Sequence, residues 1–324
     1  MIATSRLLSY KQMKNILNIL FLGGAKRVSL AERFISAGNQ LGFHVNLFSY
    51  EIEKCVPFAS VGKIIIGKLW SDNNVYFDLK KIIDEMHISL VIANVDPATI
   101  VLANLCKMFP ELGIIATDLD TCKLFIDKQV VYEKCLQYGV PTIPLSKDNF
   151  PTFAKPKKGS ASKGTFLIKN NAEKNHILSI INENDYIFQE FIDGTEYTVD
   201  AYISKKGEYI GAVPRVRNDV TSGESTTATI IEDDEIIDKA KYIFSVFDLF
   251  GPITLQFIRK EKDLYFLEIN PRFGGGVIAS IEAGFDIPKL MLQDYLGENI
   301  KPQKNYKRLI MTRCYREVFH AVDN

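Results

Sequence analysis

The first hundred residues alternate short apolar runs with patterns of helical period. Unbroken apolar strands that alternate with helices indicate a parallel sheet covered on both faces, so this part is predicted to be α/β. The predicted strands are ILNILFL (16–22), HVNLFSY (44–50), KIIIGK (63–68), SLVIAN (89–94) and GIIAT (113–117), and the predicted helices are VSLAERFISAGNQLG (28–42) and FDLKKIIDEMH (77–87).

The rest of the chain has a mainly antiparallel strand pattern, which predicts an α+β region. A helix in DKQVVYEKCLQYG ends at Gly139, and a strand, a glycine- and serine-rich loop and a second strand follow in FPTFAKPKKGSASKGTFLIKN. Further helices are predicted in HILSIINEN, DDEIIDKAKYIFSVF and VIASIEAG. The segment YIFQEFIDGTEYTVDAYIS predicts two strands around a turn at Asp193–Gly194.

Two loops follow strands of the predicted parallel sheet, where ligands of such sheets bind. They are Gly23–Arg27 and Asn94–Thr99. Gly23 and Asp96 are therefore candidate contacts of a small ligand. The glycines lack the G-x-G-x-x-G spacing of a dinucleotide site, so a plain strand–helix turn at Gly23 and a helix N-cap at Asp96 remain equal alternatives.

Length and composition indicate a globular chain with one large lobe or two to three smaller ones. The 324 residues are 47% hydrophobic, with 39 basic and 39 acidic side chains, so no nucleic-acid partner is expected. The five cysteines form no C-x-x-C pair, which favours reduced thiols and a cytoplasmic location. No apolar run reaches the roughly 20 residues of a membrane span, so no membrane partner is expected.

The N-terminal stretch MKNILNILFLGGA has a lysine, an apolar run and small residues, as a signal peptide does. The run is short and its glycines lead into a helical pattern, so we interpret it as the first strand. Residues 1–14 are then a tail, with Met13 as an alternative start.

The hairpin ITLQFIRKEKDLYFLEIN places polar side chains inside an apolar strand pattern. If Glu261–Asp263 forms a three-residue loop, Lys260 lies opposite Leu264 and Gln256 opposite Glu268. The register then predicts that Gln256 and Glu268 face each other across two strands.

The same register puts Thr254 opposite Asn270, so Gln256, Glu268 and Asn270 share one face of the sheet. All three offer oxygen donors, which Mg²⁺ prefers. The alternative is a hydrogen-bonded polar patch. Arg272 follows two residues after Asn270, and its guanidinium can bind a phosphate through two hydrogen bonds. The glycine run 274–276 comes next.

Three other segments carry weaker signals. AKPKKGSASKG is a flexible lysine-rich loop that fits over polyphosphate, or is a solvated turn; it is not a P-loop. In IFQEFIDGTEY an extended backbone beside apolar side chains suits an adenine edge and a carboxylate suits ribose hydroxyls, or the segment is merely an amphipathic strand. In PRVRNDVTSGEST, Arg215 and Arg217 share one strand face and suit a substrate carboxylate or phosphate, or form a solvated face.

The order of these pieces resembles the ATP-grasp superfamily, and most of all one synthetase unit of the carbamoyl phosphate synthase large chain. The resemblance covers about residues 15–300 and rests on DKQVVYEKCLQYGVPTIP, FAKPKKGSASKG, QEFIDGTEYTVD and LEINPRFGGG. It implies a Rossmann-like N-terminal domain (15–117), a small lobe with a glycine-rich lid (118–187) and a large lobe with the metal site (188–324).

The resemblance also implies roles at matching positions. Lys155 and Arg272 match charge-stabilising catalytic positions, and Arg215, Arg217, Gly23 and Asp96 are tentative acceptor contacts. The magnesium ligands match Gln256, Glu268 and Asn270; the ATP contacts match Lys128, Lys155, Gly159, Ser160, Ser162, Lys163, Gly164, Gln189, Glu190, Phe191, Ile192 and Glu196.

The implied function is ATP-dependent ligation of a carboxylate to an amine through an acyl phosphate, with ATP and Mg²⁺, or Mn²⁺, as cofactors. The implied partners are small-molecule substrates, with a homodimer left open. Two alternatives are a subunit of a split carbamoyl- or carboxyphosphate-forming enzyme and a non-catalytic ATP-binding regulator.

Overall fold

The computed structural model describes residues 15–112, 114–159, 163–221 and 223–321; the predicted tail, 1–14, lies outside them. Residues 16–108 form a parallel four-stranded sheet of order β3-β2-β1-β4 with helices around it, which confirms the α/β pattern. Its elements are β1 (Ile16–Leu22), α1 (Val28–Gln40), β2 (His44–Glu51), β3 (Lys63–Ile66), α2 (Val75–Glu85), β4 (Ile88–Ala93) and α3 (Asp96–Met108).

The strand predicted at GIIAT is wrong, because residues 114–117 form no strand. The segment leaves the parallel sheet and crosses to the large antiparallel sheet instead. The Thr117 hydroxyl donates to the Phe250 carbonyl at 3.0 Å and accepts from the Phe250 N–H at 3.1 Å. Ile115 is buried in the core that the two regions share.

The second region is built on an antiparallel six-stranded sheet of order β12-β11-β8-β9-β10-β13 and a three-stranded sheet of order β6-β5-β7. Its elements are α4 (Leu119–Ile126), α5 (Lys128–Gln137), β5 (Thr152–Pro156), β6 (Phe166–Ile168), α6 (Asn171–Ile180), β7 (Tyr186–Glu190), β8 (Thr195–Ile203), β9 (Tyr209–Thr221), β10 (Glu224–Ile230), α7 (Asp234–Val246), β11 (Gly251–Lys260), β12 (Asp263–Asn270), α8 (Val277–Glu282), α9 (Ile287–Tyr295) and β13 (Ile310–Thr312).

The two strands predicted around Asp193–Gly194 exist as β7 and β8, but they belong to different sheets. Residues 191–194 therefore link the two lobes. The division predicted at 187/188 falls inside β7, so the small sheet extends to Glu190. The helix predicted at HILSIINEN begins earlier, since the Asn170 side chain caps α6 by accepting from the Glu173 N–H at 2.9 Å.

The hairpin β11–β12 confirms the predicted pairs Gln256–Glu268 and Thr254–Asn270. The predicted pair Lys260–Leu264 is wrong, because Lys260 pairs with Asp263 across a two-residue loop. The register shifts between Gln256 and Phe257, where the partner strand carries one extra residue. This bulge offsets the shorter loop, so the polar face forms at the far end of the hairpin as predicted.

The parallel sheet and the large sheet share one hydrophobic core. Phe34 of α1 packs edge-to-face on Phe273, with ring centroids 5.9 Å apart, and both are fully buried. A cleft bordered by both regions therefore has walls that are fixed by packing. Within the described ranges, no helix is long and apolar enough to cross a membrane.

Candidate active site

Two cavities meet on the polar face of the large sheet. The interlobe cavity, about 700 Å³, lies between the small sheet and the large sheet, with Lys155 and Glu268 in its walls. The interdomain cavity, about 410 Å³, lies between the first domain and the large sheet, with Asp96 and Arg272 in its walls. The two share Lys128, Gly159, Arg217, Gly223, Gln256 and Glu268, which form the junction.

One end of the interlobe cavity is apolar. Ile143, Ile192 and Ile258 form a small buried cluster there. Gln189 is 3% exposed, and its side-chain oxygen has no hydrogen-bond partner within the described residues. An apolar slot with one unpaired acceptor fits a flat heterocycle that carries an N–H donor. The predicted residues Gln189, Glu190, Phe191, Ile192 and Glu196 all line this cavity.

Lys155 projects from β5 into the same cavity and is 9% exposed. Its ammonium group donates to the Tyr132 hydroxyl at 2.8 Å and lies 4.9 Å from the centre of that ring. Burial, opposed by the Glu268 charge, lowers the pKa of Lys155 to about 8. A desolvated lysine in this position is poised to gain from an incoming anion.

The other lysine that the sequence predicted, Lys128, begins α5 and lies at the junction. Its ammonium donates to the Gly159 carbonyl at 2.6 Å. Lys163 lines the interlobe cavity, whereas Gly164, with φ +72°, does not. The predicted contacts Ser160 and Ser162 lie outside the described residues.

The polar trio of the hairpin comes together as predicted. Gln256 Nε2 donates to Glu268 Oε1 at 2.8 Å, and Asn270 Nδ2 donates to the same oxygen at 3.1 Å. One carboxylate and two amides can present oxygens to a hard cation. Gln256 is the least available of the three, because its side-chain oxygen already accepts from Arg217 at 2.6 Å.

Arg217 of β9 lies at the junction of the cavities. Besides Gln256, it pairs with Glu196 at 3.2 Å and donates to the Gly223 carbonyl at 3.0 Å. Burial is the largest cause that lowers the pKa of its guanidinium. Gln256 and Gly223 line both cavities and Glu196 lines only the interlobe cavity, so the charge of Arg217 faces the interlobe cavity at least as much as the interdomain one.

Arg215 lines the interdomain cavity, but its charge is already paired. It donates to Asp200 at 2.9 Å and to the Ser225 hydroxyl at 3.2 Å, and it is 2% exposed. A Cβ atom at Gly276 would lie 2.7 Å from the Arg215 guanidinium carbon. The glycine run therefore lets a buried charged pair pack against the backbone.

Arg272 links the large sheet to the first domain. Its Nε donates to Asp96 Oδ1 at 2.5 Å, and both residues line the interdomain cavity. Asp96 is the first residue of α3, and Val95 holds the N-cap position, so the alternative of an Asp96 N-cap is wrong. Its carboxylate serves the ion pair.

Gly23 does not line either cavity. Its φ is +71°, and a Cβ there would lie 2.8 Å from a Val95 methyl carbon. This geometry matches the alternative of a tight strand–helix turn, in which only glycine fits without strain.

Sequence reasoning missed four residues of the site: Arg27, Tyr132, Glu224 and Arg313. Tyr132 lies four positions after Lys128 on one helix, which is a local signal that it shares a face with that lysine. Arg27 donates to the Gly274 carbonyl at 3.1 Å, and Arg313 donates to Glu224 at 2.6 Å. No local pattern marks these long-range contacts.

The chain is similar to known proteins in sequence and in structure. A model of the family described as "ATP-grasp in the biosynthetic pathway with Ter operon" matches residues 182–315. The carbamoyl phosphate synthase large chain of Agathobacter rectalis is 24% identical over 216 residues, which are 59% of this chain and 20% of that protein. The large chain of Caldanaerobacter subterraneus is 32% identical over 126 residues, 36% of this chain and 12% of that protein. This chain thus spans a fifth or less of either relative.

Solved structures resemble the chain over most of its length. N5-carboxyaminoimidazole synthetase of Staphylococcus aureus, complexed with ADP, matches with a TM-score of 0.74 at 15% identity, over 92% of this chain and 82% of that one. The biotin carboxylase domain of the 2-oxoglutarate carboxylase of Hydrogenobacter thermophilus, with MgADP and bicarbonate, has a TM-score of 0.69 at 18% identity, over 89% and 71%. At these identities the likeness establishes the fold.

Proposed function

We propose that this chain, which has the ATP-grasp fold and is similar to the synthetases of that superfamily, is a ligase that uses ATP to join a carboxylate to an amine. The observation that carries the proposal is the junction. A nucleotide-sized cavity and a second cavity meet at Lys128, Arg217, Gln256 and Glu268. A phosphoryl donor in one and an acceptor in the other would then react at a charged, preorganised point.

The interlobe cavity is proposed to hold ATP. Its apolar end, with Gln189 beside it, suits the adenine, and Glu196 suits the ribose hydroxyls. Lys155 and Lys128 then lie along the phosphates, with the loop residues Gly159, Ser160, Ser162, Lys163 and Gly164 over them. Lys128, Lys155, Gly159 and Lys163 line this cavity, which supports their proposed contact with the phosphates.

Glu268 and Asn270 are the residues that would hold Mg²⁺ or Mn²⁺, and Gln256 would contribute only after releasing Arg217. Among the described residues, no cluster of three or more His, Cys, Asp or Glu side chains could hold a metal ion, and the donors proposed here are one carboxylate and the amides beside it. Bound there, the ion would neutralise phosphate charge.

In the proposed reaction, a carboxylate oxygen attacks the γ-phosphorus as the bond to the ADP oxygen breaks. An amine then attacks the acyl carbon, loses a proton, and phosphate leaves with the carbon–oxygen bond pair. Lys155, Arg217 and Arg272 stabilise the charge that develops on the phosphoryl group. Exclusion of water from the junction would protect the acyl phosphate from hydrolysis.

A second candidate is favoured by the similarity to the carbamoyl phosphate synthase large chain: this chain is one unit of a split enzyme that phosphorylates bicarbonate. ADP release that depends on bicarbonate and requires a partner protein would favour it.

The strand order β3-β2-β1-β4 supports describing the first domain as Rossmann-like under either candidate. We further propose a cytoplasmic location. A homodimer is the assembly to test, by measuring the mass of the protein in solution.

The test is a screen for ADP release with pooled amino acids, carboxylic acids and bicarbonate, followed by mass measurement of the product. The expected result is ADP release that requires a divalent cation and an acid, with a product formed by loss of water between acid and amine. Glu268→Gln is the matched inactive variant. Nucleotide binding without turnover in any pool would indicate a regulatory protein and contradict the proposal.

A further inference from the structure

Arg27 is an arginine without a carboxylate partner. Its NH1 group donates to the Gly274 carbonyl at 3.1 Å, and NH2 donates to the carbonyls of Phe273 at 3.2 Å and Asn94 at 3.5 Å. Among the described residues, no carboxylate oxygen lies within 4 Å of it. The three carbonyls hold the guanidinium in place but leave its charge uncompensated.

The other arginines of the interdomain cavity each have an acidic partner. Arg27 differs from these three arginines because its charge has no ion-pair partner among the described residues, which leaves it available to a bound anion. The pairs are Arg215 with Asp200 at 2.9 Å, Arg217 with Glu196 at 3.2 Å and Arg272 with Asp96 at 2.5 Å.

Glu224 lines the same cavity and is the acid whose charge most favours the Arg27 guanidinium, but it is ion-paired with Arg313 at 2.6 Å. Burial raises the pKa of Glu224, but the charges of Arg27 and Arg313 outweigh it and leave the pKa below its usual value. Glu224 therefore stays ionised at neutral pH and attracts Arg27 only through space.

Burial and the neighbouring charge of Arg272 lower the pKa of Arg27 to about 10. Arg27 is thus still charged at neutral pH, but it is poorly solvated and is repelled by its neighbour. An anion placed against Arg27 would relieve both costs.

The location of Arg27 decides which molecule the anion belongs to. Arg27 lines the interdomain cavity and does not line the interlobe cavity. Lys128 also lines the interdomain cavity, and within the described residues its ammonium donates only to a carbonyl, but Lys128 lines the interlobe cavity as well. Arg27 is not one of the six junction residues, so an anion at Arg27 lies in the interdomain cavity, outside the cavity proposed for the nucleotide.

We propose that Arg27 binds a second anionic group of the acceptor, so that the substrate is an acid with a carboxylate or phosphate besides the group that is activated. The identification of the bound molecule as the acceptor rests on the proposed function. The anion site itself does not depend on ATP chemistry and can be tested without it.

The first experiment uses inorganic sulfate as the probe. Thermal unfolding is followed with increasing sodium sulfate against sodium chloride at equal ionic strength, in wild type, Arg27→Gln, Arg33→Gln and Lys155→Met. Arg33 lies on α1, which begins directly after Arg27, and it pairs with Glu282 across the same domain contact, so it is the control for a purely structural role.

The expected result is a sulfate-specific stabilisation in wild type that persists in Arg33→Gln and Lys155→Met. In Arg27→Gln the apparent sulfate affinity should fall roughly tenfold to a hundredfold. An equal sulfate response in wild type and Arg27→Gln would overturn the proposal, whether or not the protein turns over ATP.

The second experiment compares succinate with butyrate, which have the same carbon chain and differ by one carboxylate; inorganic phosphate tests the phosphate alternative. Calorimetry in the presence of MgADP should show succinate or phosphate binding about tenfold or more tighter than butyrate. Arg27→Gln should remove the preference and Arg33→Gln should keep it. Equal binding of the anions to wild type contradicts a second anionic group.

If Arg27→Gln does not fold, Arg27→Lys decides, because it keeps the charge and loses the planar fork. Sulfate affinity should then fall about threefold to tenfold, with Arg33→Gln unchanged. Unchanged affinity in Arg27→Lys would exclude a contact of two hydrogen bonds between the planar fork and the anion. If the wild-type protein does not bind MgADP, the proposed function is refuted, whereas the sulfate result still tests the anion site.

Discussion

Arg272 Nε donates to Asp96 Oδ1 at 2.5 Å, which joins the end of β12 to the start of α3 across the interdomain cavity. The two side chains are 15% and 26% exposed. Water therefore screens the pair only in part, and it holds the guanidinium beside the junction.

Replacing both partners should reveal this coupling. In a double-mutant cycle of Asp96→Asn and Arg272→Gln, the free energy of unfolding should show an interaction of about 1–2 kcal/mol. The more exposed Arg33–Glu282 pair should give about 0–1 kcal/mol in the same denaturant titration. A coupling near zero for the first pair would show that the contact does not order Arg272.

The carboxylate of the polar trio should be essential to turnover. Glu268→Gln keeps the size of the side chain and removes its charge, so MgATP-dependent ADP formation should fall roughly a hundredfold or more. Far-ultraviolet circular dichroism should stay unchanged. Asp263→Asn, on an exposed residue of the same strand, is the control and should retain activity. Normal turnover in Glu268→Gln would remove it from the metal site.

Nucleotide binding should weaken as the pH rises above about 8. The pKa of Lys155 is lowered to about 8, mainly by burial, whereas the unfolded chain keeps its usual value of 10.5. Between these values the unfolded state binds more protons, so this group makes the free protein more stable as pH rises. Polyphosphate favours the charged form, so binding above pH 8 must take up a proton.

The measurement is calorimetry with MgADP from pH 7 to 9.5, in buffers of different ionisation enthalpy. The dissociation constant should rise by up to about tenfold per pH unit above 8, with proton uptake on binding. Lys155→Arg stays charged throughout and should flatten the dependence. Equal pH profiles for the two proteins would mean that Lys155 does not contact the phosphates.

Arg217 was predicted from the sequence to hold the acceptor carboxylate, but its contacts with Glu196 and Gln256 favour the nucleotide side. Arg217→Ala should therefore raise the KM for ATP about tenfold to a hundredfold and change the KM for the acceptor less. Asp219→Asn, an exposed position on the same strand, should leave both unchanged. The reverse pattern would return Arg217 to the acceptor site.

The sequence alone determined most elements and the polar face of the hairpin. Period-two and period-3.6 patterns record which face of each element is apolar, and the strand pairs Gln256–Glu268 and Thr254–Asn270 follow from one short loop. Even the error in loop length was harmless at the site, because a bulge restored the register. The order of the motifs then identified the resemblance to ATP-grasp enzymes.

Only the tertiary structure decided which charges are paired. Arg27 reaches Gly274 across 247 residues, and Arg272 reaches Asp96 across 176. No local period relates such positions, because their approach depends on how two domains pack. The same packing turned GIIAT from a predicted strand into a crossing segment and left Gly23 in a turn. Local patterns determine elements, whereas the partner of a polar group depends on long-range packing.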